Sequence, residues 1–190
     1  MLDLLATHHT GHDAAILAIS FDTALTAARQ LLPIPVIGMT EASLHTACIL
    51  GRRFAIITFG TVSLTLYLDL VESLGLRSRL AGYESVDVAS VSAYLEAGAF
   101  DWIVRDAAIR LAASADVVVV CGAAVSGIAR RLQPTVAFPL LDGISCAVRQ
   151  AELIVGLAPT KKPLDRPISA GSSATGLSDD LTSLLKLAGG

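Results

Sequence analysis

Residues Asp116–Leu132 read DVVVVCGAAVSGIARRL, and Asp13–Leu31 read DAAILAISFDTALTAARQL. Each stretch opens on an acid, runs through a short apolar strand, turns at a loop and enters a helix ending in Ala-Arg-(Gln/Arg)-Leu. Prolines follow in both copies, Pro33 and Pro35 in the first, Pro134 and Pro139 in the second, and after them an apolar strand and a further helix. A supersecondary unit that recurs in this order is an internal duplication. Anchored on the helix, Ser20 is the counterpart of Cys121; anchored on the first acid, Ile19 is the counterpart of Gly122.

Outward from this repeat, short β-branched runs bounded by turn residues predict strands over Ala14–Ile19, Ile34–Gly38, Phe54–Thr58, Leu80–Val86, Val117–Val120 and Val136–Leu140. Helical patterns fall between them, at Thr23–Leu32, Glu41–Leu50, Val62–Leu74, Ala99–Ala113, Val125–Leu132 and Ile144–Gly156. Strands alternating with helices give parallel βαβ units. The expected fold is therefore α/β, with two pseudo-symmetric lobes, each a parallel sheet flanked by helices. The first lobe is expected to comprise residues 1–50 plus 157–190 and the second residues 51–156. Only 12 residues precede the first copy of the repeat, whereas two strands and two helices precede the second. The first lobe is thus expected to be short at its N-terminus, with Leu2–Leu5 the remnant of a helix. The stretch Thr160–Ser178 reads as loop, leading to a last helix over Ser178–Leu187 with Ser178 as its N-cap.

Composition narrows the function classes. Of 190 residues, 53% are hydrophobic and only 16% charged, which demands a sizeable core. A net charge of −3 offers no footprint for nucleic acid or acidic membranes. The longest apolar run, Val117–Ala129, is 13 residues where a bilayer needs about 20. Cys48, Cys121 and Cys146 show no metal-ligand spacing, and a reducing cytoplasm is the expected compartment. His8 and His12 have a His-x-x-x-His spacing without further ligands, so no metal is expected.

In doubly wound sheets, ligands bind beyond the carboxyl ends of strands. Those loops hold Ser20, Phe21 and Asp22 after the first strand, Thr58 after the third, and Cys121, Gly122, Ala123 and Ala124 after the fifth. Small residues running into a helix let backbone N–H groups approach a carboxylate or enolate-like oxygen. At such a helix start, Cys121 is expected to have its thiol pKa lowered toward neutrality. The other view of Cys121 is a small buried hydrophobe, the role expected of Cys48 and Cys146. Asp22 and Asp142 are expected to cap helices, and Thr58 either to donate its hydroxyl to a ligand carboxylate or to bond locally.

Further stretches are Glu41-Ala42-x-x-His45, Leu50-Gly51-Arg52-Arg53-Phe54-Ala55-Ile56-Ile57-Thr58, Leu74-Gly75-Leu76-x-x-Arg79 and Leu141-Asp142-Gly143-Ile144. With the two repeat units, in this order, the chain resembles the hydantoin and allantoin racemase branch of the aspartate/glutamate racemase superfamily. The resemblance implies a cofactor-independent enzyme in which a cysteine from each lobe flanks the substrate carbon, one removing the α-proton and the other returning one. Here the family's first cysteine falls at Ser20 or Ile19. The second falls at Gly122, with Cys121 one residue early.

The reading therefore expects a racemase or isomerase of an amino-acid derivative such as a hydantoin. It takes Cys121 and Ser20 as the catalytic pair, and Gly122, Ala123, Ala124, Phe21, Asp22 and Thr58 as substrate contacts. Two alternatives share the scaffold: a decarboxylase-like enzyme using one cysteine, and a non-catalytic homologue that binds a small carboxylate or oligomerises. The partners expected are a small carboxylate or hydantoin-like molecule and further copies of the chain, with no cofactor.

Overall fold

The computed structural model describes residues 1–87, 98, 100–160 and 176–187. Its strands are β1 (Ala15–Leu17), β2 (Val36–Gly38), β3 (Phe54–Phe59), β4 (Leu80–Val86), β5 (Val117–Val120) and β6 (Leu140–Asp142). Its helices are α1 (Leu2–His8), α2 (Leu25–Leu31), α3 (Met39–Leu50), α4 (Thr61–Ser73), α5 (Asp101–Leu111), α6 (Ile128–Leu132), α7 (Gly143–Leu157) and α8 (Asp179–Leu187). Two compact units result: Met1–Leu17, Thr23–Ile37 and Arg149–Gly190 form one, and Ala18–Asp22 with Gly38–Val148 the other.

The larger unit is built on a four-stranded sheet in the order β4-β3-β5-β6. Every pairing in it is parallel. All of Phe54–Phe59 and Val117–Val120 are buried, as strands covered on both faces must be. Side chains alternate between the faces. Ala55, Ile57, Phe59, Val118 and Val120 pack with Val104, Ala107 and Leu111 of α5 and Ile128 and Leu132 of α6. Phe54, Ile56, Val117, Val119 and Cys121 pack on the other side with Leu44 and Ala47 of α3 and Tyr67 and Val71 of α4. The α3 helix, placed by the sequence reading in the first lobe, thus belongs to the core of this sheet. Its C-terminal carbonyls are gathered by the Arg79 guanidinium, which donates to the backbone oxygens of Cys48, Gly51 and Arg52.

The smaller unit has the two-stranded sheet β1-β2. Ala6, Leu17, Leu25, Ala28, Leu32 and Val36 share its core with Leu181 and Leu184 of α8. Ser178 caps α8, its hydroxyl accepting from the Leu181 N–H at 3.2 Å. The expected remnant at Leu2–Leu5 is a full helix, α1.

The duplication is visible element by element. Strand, 3₁₀ turn, helix, strand and helix recur as β1, Ser20–Asp22, α2, β2, α3 and as β5, Ala123–Val125, α6, β6, α7. Several expected bounds shift, the first strand for one being Ala15–Leu17 rather than Ala14–Ile19, and three of the shifts have a plain cause. The sixth strand begins at Leu140 rather than Val136, because Pro139 has no N–H to offer a ladder. The Gln133 side chain spans this break, donating to the Phe138 carbonyl and accepting from the Leu140 N–H. The helix expected over Val125–Leu132 is cut short, because Gly127 lies at φ +80 and α6 starts only at Ile128. The helix expected from Thr23 begins at Leu25, after Ala24 in the left-handed region at φ 61. Residues 99 and 161–175, within the helix expected from Ala99 and the loop expected from Thr160, lie outside the described residues.

Candidate active site

The carboxyl ends of β3 and β5 open onto a cavity of about 470 Å³ within the larger unit. Parallel strands end here with their carbonyls outward and loops free to vary, the usual ligand position in such sheets. Ser20 and its neighbour Ile19 form one wall. Thr58 and Cys121 stand side by side at the strand ends, joined through the backbone by Cys121 N–H donating to the Ile57 carbonyl at 2.8 Å. Gly122, Ala123 and Ala124 close the far side, while Ser63 and Tyr67 reach in from α4.

Of the residues singled out in the sequence, Ser20, Thr58, Cys121, Gly122, Ala123 and Ala124 line this cavity. Phe21 and Asp22 support it from behind. The Phe21 ring sits 4.6 Å from that of Tyr67. The Asp22 carboxylate accepts from the N–H groups of Thr40 at 2.9 Å and Glu41 at 2.7 Å, filling the start of α3. Asp142 caps α7 in a similar way through the N–H and hydroxyl of Ser145. Phe59, Ser63, Tyr67 and Val125 also line the cavity and were not anticipated. The sequence signal for two of them is the i, i+4 spacing of Ser63 and Tyr67, which sets both on one face of a helix following a strand end.

Gly122 adopts φ 122 and ψ 132, a conformation that only glycine occupies comfortably. It turns the chain out of β5 into a 3₁₀ turn of three residues, Ala123–Val125. Here the expectation for Cys121 is overturned. No α-helix starts beside it, so there is no helix dipole to favour a thiolate. Cys121 is only 4% exposed, and burial together with the nearby Asp22 carboxylate pushes its pKa up to about 12. Its thiol is protonated at neutral pH. Burial also raises Asp22 above the ordinary carboxylate value, against the pull of the Glu41 and Thr40 N–H groups. Burial also raises Cys146, on α7, to about 11, against the pull of a hydrogen bond with Thr46.

These shifts predict alkaline instability. In the unfolded chain a thiol ionises near pH 8.5, whereas in the folded chain Cys121 and Cys146 hold their protons well beyond that. The stability that burial of the neutral thiols provides is complete below about pH 8.5. It is lost as pH rises, by up to about 1.4 kcal/mol per pH unit for each thiol, until their folded pKa values are reached. Urea unfolding between pH 8 and 10.5 should show this slope, and Cys121→Ala should flatten it by roughly half.

None of the described residues lining the cavity carries a charge at neutral pH. Among the described residues no group of three or more His, Cys, Asp or Glu could hold a metal ion. No helix among them is long and apolar enough to cross a membrane.

A family model described as Asp/Glu/Hydantoin racemase matches residues 1–151. The chain belongs to this family. It is 29% identical over 148 residues to a hydantoin racemase of Rhizobium meliloti, covering 77% of this chain and 61% of that protein. It is 28% identical over 149 residues to a hydantoin racemase of Pseudomonas sp. (strain NS671), covering 77% and 60%. The chain thus spans about three fifths of the length of these relatives. Among solved structures it is similar to an allantoin racemase from Klebsiella pneumoniae, with a TM-score of 0.81 at 26% identity over 96% of this chain and 75% of that one. It shares the fold of arylmalonate decarboxylase, with a TM-score of 0.64 at 17% identity over 85% of this chain and 76% of that one. The parallel α/β sheet flanked by helices is therefore the racemase-family scaffold. The positions where the resemblance sets the family's cysteines, Ile19 or Ser20 and Gly122, all line the cavity.

Proposed function

We propose that this chain is a cofactor-independent isomerase of the racemase type, moving a proton at the α-carbon of a small hydantoin-like compound. The observation that carries the reading is that Ser20 and Cys121, duplicated strand-end positions, line one cavity. The hydantoin racemases that the chain resembles support it. In the ring, the α-carbon lies beside a carbonyl, so loss of its proton sends the electron pair onto the carbonyl oxygen as an enolate. The ionised form of Cys121 takes that proton, forming S–H as C–H breaks. A proton returned by the same thiol restores the original centre. One returned from the Ser20 wall, by its hydroxyl or by water held there, inverts it. A serine hydroxyl is a far weaker acid than a thiol, so exchange at the α-carbon should outrun inversion.

The test is a 5-substituted hydantoin of one hand incubated with the full chain in neutral deuterated water. Exchange followed by proton NMR should exceed the protein-free rate, with loss of optical rotation lagging behind it. Exchange no faster than in the protein-free control would remove the isomerase reading and favour a non-catalytic binding protein. The protonated state of Cys121 favours one second reading, donation of a proton to the carbanion left when a malonate-type acid loses carbon dioxide. Accelerated gas release from such an acid would support it. With the first reading goes assembly of like chains, for which Ile49, Val62 and Trp102 offer exposed apolar side chains, and a cytoplasmic setting suited to free thiols.

A further inference from the structure

The buried hydroxyls of Thr58 and Ser85, in the larger unit, have no hydrogen-bond partner. They are register partners on adjacent strands, β3 and β4. Their neighbours Phe59 and Val86 both belong to the core on the α5 side, so by alternation Thr58 and Ser85 point to the opposite face. Cys121 lies on that same face, with Val117 and Val119. Because Ile57 pairs with Val120, Thr58 comes level with Cys121. Ser85, Thr58 and Cys121 thus form one row across three strands at the carboxyl edge of the sheet, and Thr58, 1% exposed, lines the cavity.

An unpaired hydroxyl in such a place is destabilising, and valine has the same shape as threonine and suits a strand better. Retaining two adjacent ones implies a polar group that completes them. Among the described residues the remaining walls are apolar or small side chains, the Tyr67 ring and short hydroxyls, with no cation to neutralise an acid. A carboxylate entering this space would lose its hydration without gaining a counter-charge.

We propose that Thr58 and Ser85 are the specificity-determining residues of the cavity. They hold the carbonyl or N–H edge of an uncharged cyclic amide or imide beside Cys121, and the surrounding walls reject the ring-opened acid. The proposal rests on the isomerase reading for the identity of the cavity but is tested by binding alone. Thr58 makes the direct contact, while Ser85 completes the row behind it, directly or through one ordered water.

Calorimetric titration of the full chain with 5-benzylhydantoin and with N-carbamoylphenylalanine provides the test. The hydantoin should bind at least about tenfold more tightly than the acid. Thr58→Val should weaken the hydantoin about tenfold, Thr58→Ser should restore it, and Ser85→Ala should weaken it a few-fold. Urea midpoints for Thr58→Val and Ser85→Ala should equal or exceed that of the parent, which separates lost contact from lost folding. Equal binding of hydantoin and acid, no hydantoin binding, or unchanged affinity in Thr58→Val would each overturn the proposal. Tight, Thr58-dependent hydantoin binding without α-carbon exchange sinks the isomerase reading alone. Exchange whose KM is unaltered by Thr58→Val sinks this proposal alone.

Discussion

Cys121→Ala is expected to slow α-carbon exchange by about 10²–10⁴-fold, the range a positioned acid–base group supplies. Among the described residues that line the cavity Cys121 is the only cysteine, and none is a carboxylate or imidazole that could take over. Cys146→Ala is the matched control. That thiol is also buried and also raised in pKa, but it does not line the cavity. The rate should be unchanged in that variant. The pH profile gives a second reading of the same group. With a pKa of about 12, the thiolate is a trace species at pH 7, and its population grows about tenfold with each pH unit through pH 10. Exchange in excess of the protein-free control should climb with it, and in Cys121→Ala that climb should vanish. A profile that levels off near pH 8 in the parent would show that some other group moves the proton.

Asp22→Ala should lower the unfolding free energy by about 2–4 kcal/mol, measured by urea titration. Its carboxylate is the acceptor for the Thr40 and Glu41 N–H groups, and Thr40 is 3% exposed, so water cannot readily replace it. The same bonds hold the Ser20–Asp22 turn, in which Phe21 and Asp22 lie at φ 64 and φ 49. Each such residue costs of order 1–3 kcal/mol unless its surroundings fix it. Desolvation of the carboxylate, which raises its pKa, offsets part of the gain and sets the upper limit of the loss. Asp22→Asn retains one acceptor and should lose about half as much. Because the folded pKa is raised rather than lowered, the folded chain binds this proton more readily than the unfolded one. Asp22 therefore contributes no loss of stability as pH falls through the carboxylate range.

Much of the scaffold can be read from local pattern. The runs Phe54–Thr58, Leu80–Val86 and Val117–Val120 are strands because β-branched and aromatic residues fill both faces between turns, and the Ala-Arg-x-Leu helices betray the duplication. Pro139 is why Val136–Leu140 does not run as one strand, since its missing N–H breaks the ladder that the apolar residues alone would suggest. The site is less legible, because its chemistry depends on contacts between distant residues. Nothing near Cys121 in sequence states that Phe21 and Tyr67 enclose the same side of the sheet. The small residues after it suggested an activating helix, where the chain makes only a brief turn. Asp22 could be read as a cap, though not that its helix starts at Met39. Ser85 was invisible for a further reason. The pairing of β3 with β4 shifts between Phe54 and Ala55, so the face it occupies cannot be counted from the strand's first residue.

The backbone at Gly122 decides what protein engineers can do with this scaffold. A β-carbon there would meet nothing closer than Val125 at 3.7 Å and Phe59 at 3.8 Å, so a thiol would fit by volume. At φ +122 the obstacle is torsional, since L-residues avoid that quadrant. Grafting a sulfur onto position 122 therefore asks for a changed backbone torsion at the exit from β5, where space is already sufficient. A redesign that brings a thiol there has to settle the main chain first and the side chain second.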